Sequence, residues 1–120
     1  MKTDYILPVE SPADSAVFYM AMFGAMPLEL SPTYAVVQMN DALKLGLKAK
    51  KKMLPAAMNA NDAELPIFVA GREGVDALHD EWRKKGVTIL QAPISSNSGY
   101  TFTCADPDGH RLRIFTPEAA

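Results

Sequence analysis

At 120 residues, with 48% apolar side chains, the chain is long enough to fold as one domain with a core of its own. A formal net charge of −2 and the lack of any long basic stretch weigh against nucleic acid as a partner. No apolar run approaches the roughly 18 residues that cross a bilayer, and Cys104, the only cysteine, excludes an internal disulfide.

The polar N-terminus lacks a signal-peptide core, and with a single thiol a reducing, cytoplasmic setting is the expectation. Tyr5 to Val9 alternates as a strand, with Tyr5, Leu7 and Val9 on one side. Ser11-Pro12 reads as a helix N-cap followed by proline at the first helical position, and Asp14 suits the positive helix end. Ala13, Ala16, Val17 and Met20 recur at helical spacing until Gly24 and Pro27 end the run. Short strands follow at Leu28 to Leu30, Tyr34 to Met39 and Leu43 to Lys48, separated by Ser31-Pro32 and Asn40-Asp41 turns. The lysines at 48, 50, 51 and 52 read as a solvated loop.

The second half repeats this order. Leu65 to Ala70 predicts a strand; Val75, Leu78, His79 and Trp82 form an apolar helical stripe opposite Asp76, Asp80, Glu81, Lys84 and Lys85. Gly86 stops the helix, and strands are expected at Val87 to Leu90, Tyr100 to Ala105 and Arg111 to Phe115. Offset by about 60 residues, the halves match apolar on apolar: Leu7 falls on Ile67, Val9 on Val69, Phe18 on Leu78 and Met22 on Trp82. The expected organisation is a first module over about 4–52, a linker over about 53–62 and a second module over about 63–117. Each sheet packs one face under its helix, so the other face needs a second module or a ligand.

The most informative stretch is Asp106-Pro107-Asp108-Gly109-His110, which is turn chemistry leading into Arg111 to Phe115. Alternation puts Leu112 and Ile114 on one face and Arg111, Arg113 and Phe115 on the other. Cys104, on the strand before the turn, reads as a small buried hydrophobe.

A strand-helix-three-strand unit repeated once and closed by this hairpin resembles the vicinal oxygen chelate superfamily. That group includes glyoxalases, extradiol dioxygenases, fosfomycin-resistance enzymes and bleomycin-resistance binding proteins. The resemblance rests on Ser15-Ala16-Val17-Phe18-Tyr19, Phe23-Gly24 and the hairpin from Asp106 to Ile114. It implies an α+β fold of two βαβββ modules, whose mixed curved sheets form a cavity completed in a homodimer. Within the group the chain is similar to small phenazine-antibiotic resistance proteins, which bind a planar aromatic antibiotic without chemistry. The comparable stretches are Ser31-Pro32-Thr33-Tyr34-Ala35-Val36, Asn40-Asp41-Ala42-Leu43 and Val75-Asp76-Ala77-Leu78-His79-Asp80-Glu81-Trp82. Where that likeness places a stacking tryptophan, this chain has Leu47.

Enzymes of the superfamily hold a divalent metal on the open sheet faces. The resemblance carries the ligand positions onto or beside Asp4, and onto Glu64, Gly46 and Arg113. An arginine stays protonated and cannot ligate a metal. His79 faces the sheet from its helix and His110 sits in the turn, so neither restores a site. Neither a metal nor a cofactor is expected, and no residue is assigned to catalysis.

Alternation offers Pro66, Phe68, Tyr100, Phe102, Arg111, Arg113 and Phe115 to the open face of module two. Module one offers Ile6, Pro8, Lys44, Gly46 and Lys48. Rings with a few placed cations suit a small planar aromatic or anionic ligand. Arg113, Phe68, Phe102, Tyr100, Gly46, Leu47, Glu64 and Tyr34 are the candidate ligand-binding residues, with Gly46 leaving room for the ligand. Two roles stay open for Arg113: a two-pronged bond to a ligand carboxylate, or an ion pair with Glu64 or Asp4. The expected function is an antibiotic-like small-molecule binder conferring resistance by sequestration as a homodimer. The alternative is a metal-dependent glyoxalase- or dioxygenase-type enzyme with an atypical site using Asp4 and Glu64.

Overall fold

A computed structural model describes residues 3–54, 64–97 and 99–118; of Thr3 and Asp4 it describes the backbone alone. Most of the expected linker therefore lies outside the described residues. The chain divides into two compact units, Met1–Asn59 and Ala60–Ala120.

In the first unit the elements run β1 (Thr3–Val9), α1 (Pro12–Phe23), β2 (Met26–Leu30), β3 (Tyr34–Asn40) and β4 (Leu43–Ala49). Both helix signals act as the sequence predicts. The Ser11 hydroxyl accepts a bond from the Asp14 N–H, and Gly24 takes the left-handed conformation at φ 65°. The sheet has the order β1-β4-β3-β2. β1 lies parallel to β4, which a helical crossover permits, and the other pairs are antiparallel. Leu7, Val9, Ala35, Val37, Leu45 and Leu47 are buried on one face. Helix α1 packs on that layer through Ala16 and Tyr19, which are buried in turn.

The second unit repeats the plan with β5 (Glu64–Phe68), α2 (Gly71–Lys84), β6 (Thr88–Ser96), β7 (Gly99–Ala105) and β8 (Arg111–Thr116). Its sheet order is β5-β8-β7-β6, with β5 parallel to β8. Helix α2 has no side-chain cap at Ala70; the Gly71 N–H donates to the Thr116 hydroxyl of β8 instead, at 3.0 Å. A strand thus satisfies an orphan donor of the helix. Val75 and Trp82 are fully buried, and Trp82 meets Phe102 edge-on with ring centres 5.8 Å apart. Burying each such ring stabilises the unit by about 2–3 kcal/mol.

The strands differ from expectation mainly at their ends. β6 runs from Thr88 to Ser96 rather than stopping at Leu90, and its pairing with β7 is interrupted by register shifts. Pro93 is accommodated because β6 is an edge strand, where proline costs no ladder bond. The Asp106 hairpin is held by the Asp106 carboxylate, which accepts from the Asp108 and His110 N–H groups at 2.9 and 2.8 Å. Gly109 supplies the positive φ, 86°, that closes it.

Candidate functional site

Each sheet has a covered face under its helix and an open face, and the strand registers fix which residues share each. In the second unit, Thr103 lies opposite Arg113 and Thr101 opposite Phe115 across β7 and β8. Glu64, Pro66 and Phe68 lie beside Arg111, Arg113 and Phe115 across β5 and β8. Those eight residues form the open face.

This corrects the sequence reading of β7. Phe102 pairs with Ile114 and Tyr100 with Thr116, so both belong to the covered side. Phe102 is fully buried between His79 and Trp82 of α2. Tyr100 donates its hydroxyl to Asp76 of α2 at 2.6 Å, and the Arg72 guanidinium lies 4.1 Å from its ring centre. The hydrogen bond to Asp76 holds the Tyr100 phenol above its ordinary pKa. Leu47 is also fully buried on the covered face of its sheet, opposite Ala35.

The remaining candidates divide between the units. In the second, Arg113 donates from Nε to Glu64 Oε2 at 2.8 Å, forms an ion pair with the same oxygen through Nη2 at 2.8 Å, and donates from Nη1 to Thr101 Oγ1 at 3.1 Å. The two partners keep 29% and 30% of their side-chain surface. The pair is therefore accessible, and the guanidinium retains one N–H on each Nη nitrogen. Beside it, Thr103 Oγ1 is buried with no hydrogen-bond partner among the described residues. Phe68, exposed, meets Phe115 edge-on at 6.0 Å. Sequence reasoning missed both threonines, which read as strand formers.

In the first unit, Tyr34 and Gly46 share the open face with Lys48, which pairs with Tyr34 and Pro8. Gly46 does not leave the open space expected of it. A Cβ there would stand 2.8 Å from the Tyr34 hydroxyl oxygen and 3.3 Å from Ile6 Cγ1. The Tyr34 ring already occupies that notch.

A divalent ion needs about three converging donors. Among the described residues no group of three His, Cys, Asp or Glu side chains is so placed. Glu64 is engaged by a guanidinium that repels a cation, so these residues do not fit a metal. The single thiol is fully buried, and that burial, reinforced by Asp106, pushes Cys104 up to about 12, away from the thiolate form a nucleophile needs. A cavity of about 600 Å³ lies between α1 and the turn after β2, lined by Ala13, Val17, Met20, Leu30 and Pro32 among others. Its lining carries no ionisable side chain.

The duplicated βαβββ plan and the turn at Asp106 are those of a known family, whose profile, Glyoxalase/Bleomycin resistance protein/Dioxygenase superfamily, matches residues 3–114. The chain belongs to this superfamily. Among curated proteins it is 31% identical over 114 residues to the phenazine antibiotic resistance protein EhpR of Enterobacter agglomerans, covering 92% of this chain and 84% of that one. An Agrobacterium tumefaciens protein solved in solution by NMR is 37% identical, with a TM-score of 0.88 over 99% of this chain and 98% of its own. Lactoylglutathione lyase from the same organism shares the superfamily fold at 14% identity, with a TM-score of 0.77 over 95% of this chain and 91% of its own. No helix among the described residues is long and apolar enough to cross a membrane.

Proposed function

We propose that this superfamily member is a non-enzymatic binding protein that sequesters a small planar aromatic molecule, as a cytoplasmic homodimer in which the cavity over the open faces is completed. The observation that carries the reading is Arg113. It stands at the last-strand position where the resemblance carries a metal ligand, and it is tied to Glu64, the other candidate ligand among the described side chains. A fixed guanidinium suits an anion or a polar group on a ring system and disfavours a divalent ion. Likeness to the phenazine antibiotic resistance protein supports an antibiotic-like ligand. Of the expected residues, Arg113, Glu64 and Phe68 lie on the open face of the second unit, and Tyr34 lies on that of the first. Two identical sites follow from two-fold symmetry.

Sedimentation and calorimetric titration with a panel of planar aromatic antibiotics test this. A dimer with saturable binding is expected, weakened about tenfold by Arg113→Gln. A monodisperse monomer that binds nothing in the panel sinks the proposal. Stoichiometric nickel, zinc, manganese or iron in protein purified without chelator would turn the reading towards an enzyme.

A further inference from the structure

The open face of the first sheet carries an arrangement of its own around Tyr34. The Tyr34 hydroxyl oxygen and Cε1 lie 2.8 and 3.3 Å from where a Cβ on Gly46 would stand. Tyr34 and Gly46 are diagonal neighbours across β3 and β4, because Tyr34 pairs with Lys48 and Val36 with Gly46. A tyrosine standing upright on a sheet carries its hydroxyl well above the backbone; here the hydroxyl comes down to the neighbouring strand. The side chain therefore lies along the sheet, and a residue without a Cβ is what lets it do so.

The base of that side chain is fixed as well. The Ser31 hydroxyl accepts from the Tyr34 N–H at 3.1 Å and donates to the Tyr34 carbonyl at 2.8 Å. The Ser31 N–H also donates to that carbonyl, at 2.9 Å. A ring laid over a glycine, rising from a backbone pinned by Ser31 and still half-buried rather than covered, is a preorganised surface for another ring.

Charge next to the ring is one-sided. Lys48 lies directly across from Tyr34 on β3 and from Pro8 on β1, so neither strand neighbour carries a carboxylate. It makes no ion pair with a described residue and is half-buried. Lys44 shares the face one diagonal further from the ring, in register with Asp4 of β1 and Gln38 of β3.

We propose that the open face of the first sheet is a stacking site for a planar aromatic anion, with Tyr34 as the platform and Lys48 as the counter-charge. The inference rests on the small-molecule reading above and adds to it the ligand's charge class and the residues that select it. Arg113, already engaged by Glu64, offers less net attraction to an anion than Lys48 does.

The test is calorimetric titration of the full chain with phenazine-1-carboxylate and phenazine-1-carboxamide, two flat probes that differ in charge. Wild-type protein should bind the carboxylate about fivefold more tightly than the amide, a preference that 1 M salt removes. Lys48→Gln should abolish the preference, bringing the carboxylate and the amide to within about twofold of each other, and Lys48→Arg should keep it. Tyr34→Leu should weaken both probes about tenfold, with the melting temperature confirming a folded protein. If Lys48→Gln keeps the preference and Arg113→Gln removes it, the inference is overturned while small-molecule binding stands. Unchanged affinities in folded Tyr34→Leu overturn it too. If wild-type protein binds neither probe, the binding reading itself falls.

Discussion

The two units carry the same contact built in opposite directions. Strand registers make Gly46 the counterpart of Arg113, and Tyr34 the counterpart of Thr101. In both units these diagonal neighbours touch. In the first, a long side chain from β3 comes to rest on a glycine of β4. In the second, a long side chain from β8 reaches a threonine of β7. The covered faces show a similar exchange of bulk, since Ala35 of the first sheet corresponds to Phe102 of the second. Backbone pairing and total side-chain volume constrain a duplicated sheet strongly; which strand supplies the volume is far less constrained. The open faces are consequently free to differ, one offering a ring and an ammonium, the other an arginine tied to a carboxylate.

Removing the bulk on the covered side should have the largest effect. Phe102→Ala would give the second sheet the small residue that the first carries at Ala35, but without a matching ring from α2 to fill the gap. Phe102 is fully buried against Trp82 and His79, so the cost should be about 3–5 kcal/mol in urea unfolding. A loss below about 1 kcal/mol, with ligand binding selectively abolished, would return Phe102 to the open face.

An effect confined to alkaline pH is expected at Cys104, the counterpart of Val37; both are fully buried. Burial raises the thiol from 9.0 to about 12, so the folded state holds its proton where the unfolded chain releases it. The stability this confers is complete below pH 9 and is lost as pH rises towards about 12. Cys104→Val should leave neutral stability nearly unchanged and remove an alkaline loss that approaches about 4 kcal/mol as the pH nears the folded-state value. Equal pH profiles for the two proteins would show that this thiol is already wet.

Much of the scaffold was legible in the sequence. Ser11-Pro12, Gly24 and the Asp106 turn have local chemistry that specifies their geometry, and the repeat of about 60 residues fixed the element order. The faces of β7 were misread because alternation separates two faces without saying which one a helix covers. In Gly99–Ala105, threonines alternate with Tyr100, Phe102 and Cys104, and both rows are largely buried. The hairpin held the needed signal. Folding back at Asp106 pairs Cys104 with Leu112 and Phe102 with Ile114, and Leu112 and Ile114 already read as the apolar side of β8. The ring lying on Gly46 had no such signal, because a diagonal contact depends on a side-chain rotamer that strand periodicity does not encode.

The reversed diagonal contact can be tested by transplanting it. Gly46→Arg alone would set a Cβ at 2.8 Å from the Tyr34 hydroxyl oxygen and force the ring off the sheet. Tyr34→Thr alone would leave the notch over Gly46 empty. Made together, the two changes give the first sheet the arginine-threonine pair of the second, and the new guanidinium gains the threonine hydroxyl that Arg113 finds in Thr101. A double-mutant cycle should therefore show favourable coupling of about 1 kcal/mol. Most of that coupling would be steric relief, because a half-exposed hydrogen bond from a guanidinium to a hydroxyl is screened by solvent and adds little. Additive costs would mean that the Tyr34 ring swings away from Gly46 freely, and that contact would then not hold the ring in place as a platform.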